Sequence, residues 1–312
     1  MGVENLAQEN NNFETQFNKI ESLDLAGRKI EVVDVSPEKL TDEVPVIMVP
    51  GMGADIPVYK DVLGVMVEKN RRAIAYNHSN QGGDLESEAT KEEIEIFPKE
   101  ILRLAYDLLN IIKQKNLSQV DIIAHSEGAM TAIIAAVIHP EKFRNIVLFA
   151  PAGLIGKDNI VDLTKRFILK QLLVGRGKSL DKTPITEEEN KTKKTILKSV
   201  IKYILKNPLY AAKESFEISK FQINDLISYL HEKGIGIVVM SGVDDPVFPA
   251  YKLQKLLKSK AIDGFLTMQG AHNAITDQKY HIIWAEKMLT ALKNKKDKKT
   301  KFYTPNLLQE FK

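Results

Sequence analysis

One short stretch of the sequence, from Val120 to Ala129, constrains the fold more than any other. A mostly apolar run ends at His125-Ser126-Glu127-Gly128, and small helix-forming residues follow at once. The pattern predicts a buried strand that enters a helix with almost no loop, so that Ser126 takes a strained conformation in the turn. Ala124 and Gly128 are small enough for strand and helix to approach closely. The Ser126 hydroxyl would then lie at a helix N-terminus, where the helix dipole favours an oxyanion.

Strands and helices alternate on both sides of this stretch. Apolar runs predict strands at residues 30–35, 44–49, 72–76, 119–124, 144–150, 236–240 and 265–268, with helices between most of them. This order indicates an α/β fold with a mostly parallel sheet and helices on both faces. We assign residues 1–153 and 218–292 to this core, and interpret 154–217, which shows no clear strand, as an inserted helical cap. Residues 293–312 form a Lys-rich C-terminal tail.

A serine hydroxyl becomes a strong nucleophile only when a nearby base removes its proton. We choose His272 among the six histidines because it follows a predicted strand in a loop before the last long helix. A carboxylate must orient that base, and Asp245 is our choice, with Asp244 as the alternative. Ordinary roles remain open: Ser126 as a helix N-cap, and the Asp-Pro pair as a turn. The three side chains would nevertheless meet at the carboxyl ends of parallel strands.

Acyl transfer also needs hydrogen-bond donors for a developing oxyanion. We expect one donor to be the backbone N–H of Glu127 and the other to be that of Met52, in the loop after the strand at 44–49. Gly51 and Gly53 would let this backbone approach a substrate, and we count both glycines and His125 as substrate-binding residues. A simple glycine turn is the alternative interpretation of the loop.

Together these motifs resemble the α/β-hydrolase superfamily, over roughly residues 28–292. The most specific matches are the turn at 124–128, the segment from Gly242 to Pro249, and Gly270-Ala271-His272. The resemblance implies an α/β-hydrolase fold with a helical cap. Many members have His-Gly where this chain has Pro50-Gly51. A serine at position 126, instead of an aspartate, argues against haloalkane dehalogenases and epoxide hydrolases.

The combined features predict a serine hydrolase that cleaves a carboxylic ester, with an acyl or lipid-like substrate, through an acyl-enzyme on Ser126. This chemistry needs no cofactor and no metal, and the absence of cysteine excludes disulfides and thiolate ligands. The same triad would also serve an acyltransferase, a thioesterase or a C–C bond hydrolase. A ligand-binding member of the superfamily without turnover is the non-enzymatic alternative.

Charge is unevenly distributed along the chain, although the net charge is only +3. Residues 154–216 carry 14 Lys or Arg against 7 Asp or Glu, and the tail is also basic. Lysines recur every four residues from Lys194 to Lys206 beside an apolar stripe, a pattern typical of a helix that packs over a pocket. Such a helix can also contact an anionic membrane surface. We expect a cytoplasmic protein that does not bind nucleic acid, and leave its oligomeric state open.

Overall fold

The computed structural model describes residues 11–25, 27–78, 85–157, 159, 162–163, 165–166, 187–253 and 260–298. Within them, the strands are β1 (Glu21–Leu25), β2 (Arg28–Val35), β3 (Asp42–Val49), β4 (Arg71–Tyr76), β5 (Val120–His125), β6 (Phe143–Phe149), β7 (Gly236–Gly242) and β8 (Gly264–Met268). The helices are α1 (residues 11–17), α2 (Lys60–Glu68), α3 (Lys91–Ile96), α4 (Lys99–Gln114), α5 (Gly128–Ile138), α6 (Glu187–Lys206), α7 (Pro208–Lys220), α8 (Asn224–Glu232), α9 (Ala250–Leu253), α10 (Ala274–Asp277) and α11 (Lys279–Lys298).

The strands form one sheet in the order β1-β2-β4-β3-β5-β6-β7-β8. The pairs β1–β2 and β2–β4 are antiparallel, and every other neighbouring pair is parallel. Parallel neighbours need a crossover connection, which the intervening helices supply. The structure therefore confirms the α/β fold with a mostly parallel sheet. It adds β1, an edge strand that the sequence analysis did not predict, in which Leu23 and Leu25 are the buried residues.

Helices cover both faces of the sheet, which explains why its central strands are apolar along almost their whole length. Every residue of β5 is buried. Successive side chains of this strand point to opposite faces, so Ile122 packs with Leu108 and Ile133 on one side. Ile123 packs with Leu63 and Leu289 on the other side. Two apolar layers thus hold the strand before Ser126 rigidly in place.

Helices α6 and α7 lie in the region that we interpreted as a cap, between β6 and β7. Helix α7 continues to Lys220, three residues past the expected boundary at 217. Ile196 and Val200 of α6 are buried in the same apolar layer as Ile275 of α10. The apolar stripe of α6 therefore does pack onto the core through part of its length. Most of residues 154–186 lie outside the described part of the chain.

The C-terminal region differs from the expected tail at its beginning. Helix α11 continues to Lys298, so residues 293–298 extend the last helix instead of beginning a tail. Lys293 pairs with Asp42 at 3.1 Å, and Lys295 pairs with Asp263, which ties this extension to the sheet. Residues 299–312 lie outside the described part. Among the described residues, no helix combines the length and the apolar character needed to cross a membrane.

Candidate active site

Ser126 occupies the tight turn between β5 and α5. Its φ of 55° lies in the left-handed region, which is strained for a residue with a side chain. Three backbone bonds hold it there: its N–H donates to the carbonyl of Phe149 at 3.0 Å, and its own carbonyl accepts from Ala129 at 3.1 Å and Ala152 at 3.0 Å. The end of β6 thus fixes the strained residue and turns the Ser126 side chain away from the sheet.

Gly128, two residues after the serine, allows a close approach that no other residue would allow. A Cβ at this position would lie 2.6 Å from the carbonyl oxygens of both Val49 and Pro50. A Cβ on Gly51 would likewise lie 3.1 Å from the Cβ of Ser126. The loop after β3 is therefore in contact with the turn, as an oxyanion site requires.

Ser126, His272 and Asp245 meet in one chain of hydrogen bonds, although they lie far apart in the sequence. The Oγ of Ser126 is 2.9 Å from Nε2 of His272, and Nδ1 of His272 is 2.9 Å from Oδ2 of Asp245. His272 and Asp245 are buried. A carboxylate can only accept, so an ionised Asp245 requires the proton on Nδ1 and leaves Nε2 free to accept the serine proton. This is the arrangement of a nucleophile, its base and the group that orients the base.

Asp245, and not the alternative Asp244, contacts the base. The other carboxylate oxygen of Asp245 accepts from the backbone N–H groups of Val247 at 2.8 Å and Phe248 at 3.1 Å. Asp244 instead follows the backbone of the neighbouring loop, where its N–H donates to the carbonyl of Gly270 at 3.1 Å. The base is therefore paired with Asp245.

Glu127 and Met52 are the residues that we expect to supply the oxyanion donors. The N–H of Glu127 is at the start of α5, and Met52 follows Gly51 in the loop that contacts the turn. Neither N–H has an acceptor assigned within the described residues. The N–H of Gly51, by contrast, already donates to the hydroxyl of Tyr59 at 3.0 Å. The first free donor in this loop is therefore Met52.

The three expected substrate-binding residues have protein neighbours of their own. Gly51 lies against Ser126, as described above. Gly53, with a φ of 70°, lies beneath the cap, where a Cβ would be 3.1 Å from Cβ of Tyr203. His125 is buried, and its two ring nitrogens face the hydroxyl of Tyr59 at 3.3 Å and the carbonyl of His272 at 3.0 Å. Both ring nitrogens of His125 therefore face groups of the protein itself.

The chain matches a known protein family over most of its length. The family model described as the alpha/beta hydrolase fold matches residues 44–277, which contain all the strands from β4 to β8 and the three residues of the chain Ser126-His272-Asp245. The chain belongs to the α/β-hydrolase family. A comparison with curated proteins found no match.

Several solved structures resemble this one at low sequence identity. A carboxylesterase structure from the thaumarchaeon Nitrososphaera gargenis is 17% identical with a TM-score of 0.64, covering 88% of this chain and 99% of its own. An enol-lactonase from Burkholderia xenovorans LB400 is 16% identical with a TM-score of 0.66, covering 86% and 100%. An esterase from Thermogutta terrifontis is 15% identical with a TM-score of 0.59, covering 88% and 99%. At these identities the likeness concerns the fold.

This α/β-hydrolase also has a buried group of acidic side chains beside Ser126, which we did not predict from the sequence. Both carboxylate oxygens of Glu127 are buried and have no hydrogen-bond partner among the described residues. Burial, with the charges of Glu214 and Glu217, raises the pKa of Glu127 well above its usual value. Arg103 acts in the opposite direction. Glu127 therefore favours its neutral form.

Glu214, on α7, belongs to the same acidic group. It is 4% exposed, and it accepts a short hydrogen bond from the hydroxyl of Tyr203. Burial raises the pKa of Glu214 to about 7, although the Tyr203 bond and the charge of Arg103 lower it. Glu217 accepts from the backbone N–H groups of Glu100 and Ile101 at the start of α4. Helix α7 thus contacts α4 through carboxyl groups whose charge is costly to bury.

His78 contacts the loop after β3 from the side of β4. We call this loop, residues 50–55, the oxyanion loop because Met52 is its expected donor. Its Nε2 is 3.1 Å from the carbonyl oxygen of Pro50, which can only accept, so this nitrogen carries the proton. Burial lowers the pKa of His78 to about 4, so the ring is neutral at neutral pH. No group of three or more potential metal-binding His, Asp or Glu side chains occurs within the part of the chain that the structure describes.

Proposed function

We propose that this α/β-hydrolase cleaves carboxylic esters through an acyl-enzyme on Ser126. One observation carries the proposal: Ser126 Oγ and Asp245 Oδ2 each lie 2.9 Å from opposite nitrogens of the same His272 ring. A histidine in this position can take a proton from the serine while the aspartate stabilises the resulting imidazolium. The hydrogen bonds that join Ser126, His272 and Asp245 support nucleophilic catalysis more strongly than they support any particular substrate.

In the first half of the reaction, His272 removes the proton from Ser126 as Oγ attacks the ester carbonyl carbon. The backbone N–H groups of Met52 and Glu127 donate to the oxyanion of the tetrahedral intermediate. His272 then gives its proton to the leaving alcohol, and the intermediate collapses to the acyl-enzyme. The bond between the carbonyl carbon and the alkoxy oxygen breaks in this step.

In the second half, water takes the place of the alcohol. His272 removes a proton from the water, whose oxygen attacks the acyl carbon. The same two N–H groups stabilise the second oxyanion, and His272 returns the proton to Ser126 as the acid is released. The rigid turn keeps Oγ in the same position throughout, so both steps use one geometry.

A fluorophosphonate probe and short p-nitrophenyl esters test the proposal. We expect the wild-type protein to be labelled and to release p-nitrophenol, and Ser126→Ala to lose both activities while remaining folded. Ser87→Ala, a serine distant in sequence from the turn, is the control and should be labelled like the wild type. An unlabelled wild-type protein that leaves all esters intact would favour a ligand-binding role without turnover.

The alternatives that share the triad differ in the bond that is broken or in the acceptor. A panel of matched esters, thioesters and amides, with and without an added alcohol acceptor, separates an esterase from a thioesterase or an acyltransferase. A vinylogous 1,3-diketone substrate tests for C–C bond hydrolysis. We expect the highest kcat/KM on an ester with water as the acceptor.

We further propose that the substrate is lipid-like and is met at an anionic membrane surface. Helix α6 leaves Leu205 76% exposed, and α7 leaves Leu209 77% and Phe216 54% exposed. Exposed lysines accompany them on α6, including Lys198 and Lys202. Apolar side chains bordered by lysines match the boundary between acyl chains and anionic headgroups. Large apolar side chains that remain exposed together often mark an interaction surface.

Sedimentation with vesicles tests the membrane contact. We expect binding to phosphatidylcholine vesicles that contain phosphatidylserine, weaker binding without it, and weaker binding at high salt. Leu205→Ser/Leu209→Ser should reduce binding without changing hydrolysis of a short water-soluble ester. Ile20→Ser removes an apolar side chain that is 53% exposed outside the cap, and should bind like the wild type. Equal binding to neutral and anionic vesicles at low salt would contradict the proposal.

A further inference from the structure

His125 is a buried histidine next to the nucleophile that takes no part in the reaction steps described above. Its Nε2 lies 3.0 Å from the backbone carbonyl oxygen of His272, and its Nδ1 lies 3.3 Å from the hydroxyl of Tyr59. Both side chains are buried, Tyr59 completely. The ring therefore bridges two parts of the protein that belong to different loops.

The chemistry of the partners fixes the direction of these bonds. The carbonyl of His272 can only accept, so Nε2 of His125 carries the proton. A neutral ring then has Nδ1 as an acceptor for the Tyr59 hydroxyl. The same hydroxyl oxygen accepts from the N–H of Gly51 at 3.0 Å. Burial raises the pKa of Tyr59 above its usual value, so its proton is available to donate.

One continuous chain of hydrogen bonds results, and all its donors point the same way. It runs from the N–H of Gly51 to the hydroxyl of Tyr59, on to Nδ1 of His125, and from Nε2 to the carbonyl of His272. Its first member immediately precedes the oxyanion donor Met52, and its last member is the catalytic base. His125, in the middle, is bonded covalently to Ser126.

We propose that His125 and Tyr59 are positioning residues that fix the oxyanion loop and the His272 loop relative to each other. This inference rests on the proposed hydrolase function, since it concerns the geometry of that reaction. The chain also uses up the N–H of Gly51, which leaves Met52 as the donor that faces the substrate. A displacement of one loop by about 1 Å can lower the rate by about 100-fold.

Two amide substitutions separate the two arms of the His125 bridge. In His125→Asn, the side-chain oxygen can replace Nδ1 as the acceptor for Tyr59, but nothing reaches the His272 carbonyl. In His125→Gln, the longer amide can place its N–H near the position of Nε2, but the acceptor for Tyr59 is lost. Tyr59→Phe removes the first arm from the other side while preserving most of the ring packing.

We expect each variant to lower kcat by about 10- to 100-fold with KM changed less than threefold, because the bridge orients groups that act in the transition state. Tyr59→Phe/His125→Asn should lose less than the product of the two single losses, since the two bonds belong to one chain. Tyr76→Phe is the matched control. It removes another fully buried hydroxyl, which has no hydrogen-bond partner among the described residues, and should keep the wild-type kcat.

Active-site titration and thermal unfolding must accompany these measurements, so that kcat is expressed per folded, reactive molecule. Folded Tyr59→Phe and His125→Asn with kcat within twofold of the wild type would overturn the proposal. A change confined to KM would also overturn it, and would indicate a direct substrate contact instead.

A tautomer measurement separates this inference from the hydrolase proposal. ¹⁵N NMR of the histidine rings should show His125 neutral at pH 7, with its proton on Nε2, and Tyr59→Phe should shift the Nδ1 resonance. This result is expected even if the protein hydrolyses no ester at all. A proton on Nδ1 would overturn the bridge itself, whereas a correct tautomer in an inactive protein would overturn only the proposed function.

Discussion

Replacing Glu214 by Gln should stabilise the protein, and the gain should grow as the pH rises. Glu214 is 4% exposed on the cap, and burial raises its pKa to about 7 from the ordinary value of 4.5. A folded-state pKa above the unfolded value means that the folded protein holds this proton more tightly. Folding therefore becomes less favourable as the pH rises from about 4.5 to about 7, and the cost is constant above that window.

The size of the effect follows from the shift. One pKa unit corresponds to about 1.4 kcal/mol, so the ionised Glu214 costs about 3 kcal/mol at pH 8 and close to nothing near pH 4. Glutamine has nearly the same shape, and its oxygen can still accept from Tyr203. Between pH 5 and pH 8, the stabilisation of Glu214→Gln over the wild type should grow by about 2–3 kcal/mol, or roughly 5 °C in Tm.

Thermal unfolding followed by circular dichroism at pH 5, 6, 7 and 8 measures this difference. Glu232→Gln removes an equal charge from an exposed position at the end of α8 and is the control, with a Tm difference that should hardly depend on pH. If Glu214→Gln changes Tm by the same amount at every pH, Glu214 is not buried in the acidic group as described. A variant that is less stable than the wild type at pH 8 would refute the reasoning outright.

Four further substitutions test other parts of the structure. Asp245→Asn should lower kcat by a factor on the order of 10⁴, whereas Asp244→Asn should stay within a few-fold, in assays with a p-nitrophenyl ester. Gly128→Ala should lower kcat at least about 100-fold without loss of the fold, because its Cβ would lie 2.6 Å from the carbonyl oxygens of Val49 and Pro50. Asp121→Ala leaves Arg71, bonded at 2.6 Å, without its closest carboxylate and should cost about 3–5 kcal/mol in urea unfolding, with unchanged kcat per folded molecule.

The parts of the fold that the sequence predicts are those in which local pattern and tertiary environment agree. A central strand such as β5 is apolar on both faces, so its run of residues is visible without a structure. Strand β1 was missed because it is short, lies at the edge and buries only Leu23 and Leu25. The extension of α11 beyond residue 292 was missed for a similar reason. Its lysines suggested a solvated tail, but Lys293 pairs with Asp42 of β3, and Lys295 pairs with Asp263 just before β8.

The three candidate catalytic residues could also be predicted from the sequence, because each follows a strand that ends at the same edge of the sheet. The acidic group beside Ser126 was not, since it depends on how α7 docks against α4. One signal was present: Glu100 and Arg103 lie on the buried, mainly apolar side of α4, three residues apart, and form an ion pair at 2.6 Å. A charged pair on the apolar face of a helix predicts a buried partner nearby, but not which one.

The two polar systems around Ser126 have opposite physical consequences. In the hydrogen-bond chain through Tyr59 and His125, the Tyr59 hydroxyl and both ring nitrogens of His125 are bonded. This hydrogen-bond chain therefore adds rigidity at little electrostatic cost. The acidic group leaves both oxygens of Glu127 without partners in the described residues and raises the pKa of Glu214 to about 7. Its cost therefore grows between about pH 4.5 and about pH 7, and it falls on the contact between α7 and α4. The first system holds Ser126 and His272 in place, while the acidic group lies where α7 docks. A rise from about pH 4.5 to about pH 7 should consequently loosen α7 before it disturbs the Ser126-His272-Asp245 chain, which hydrogen exchange at α7 and at β5 can compare directly.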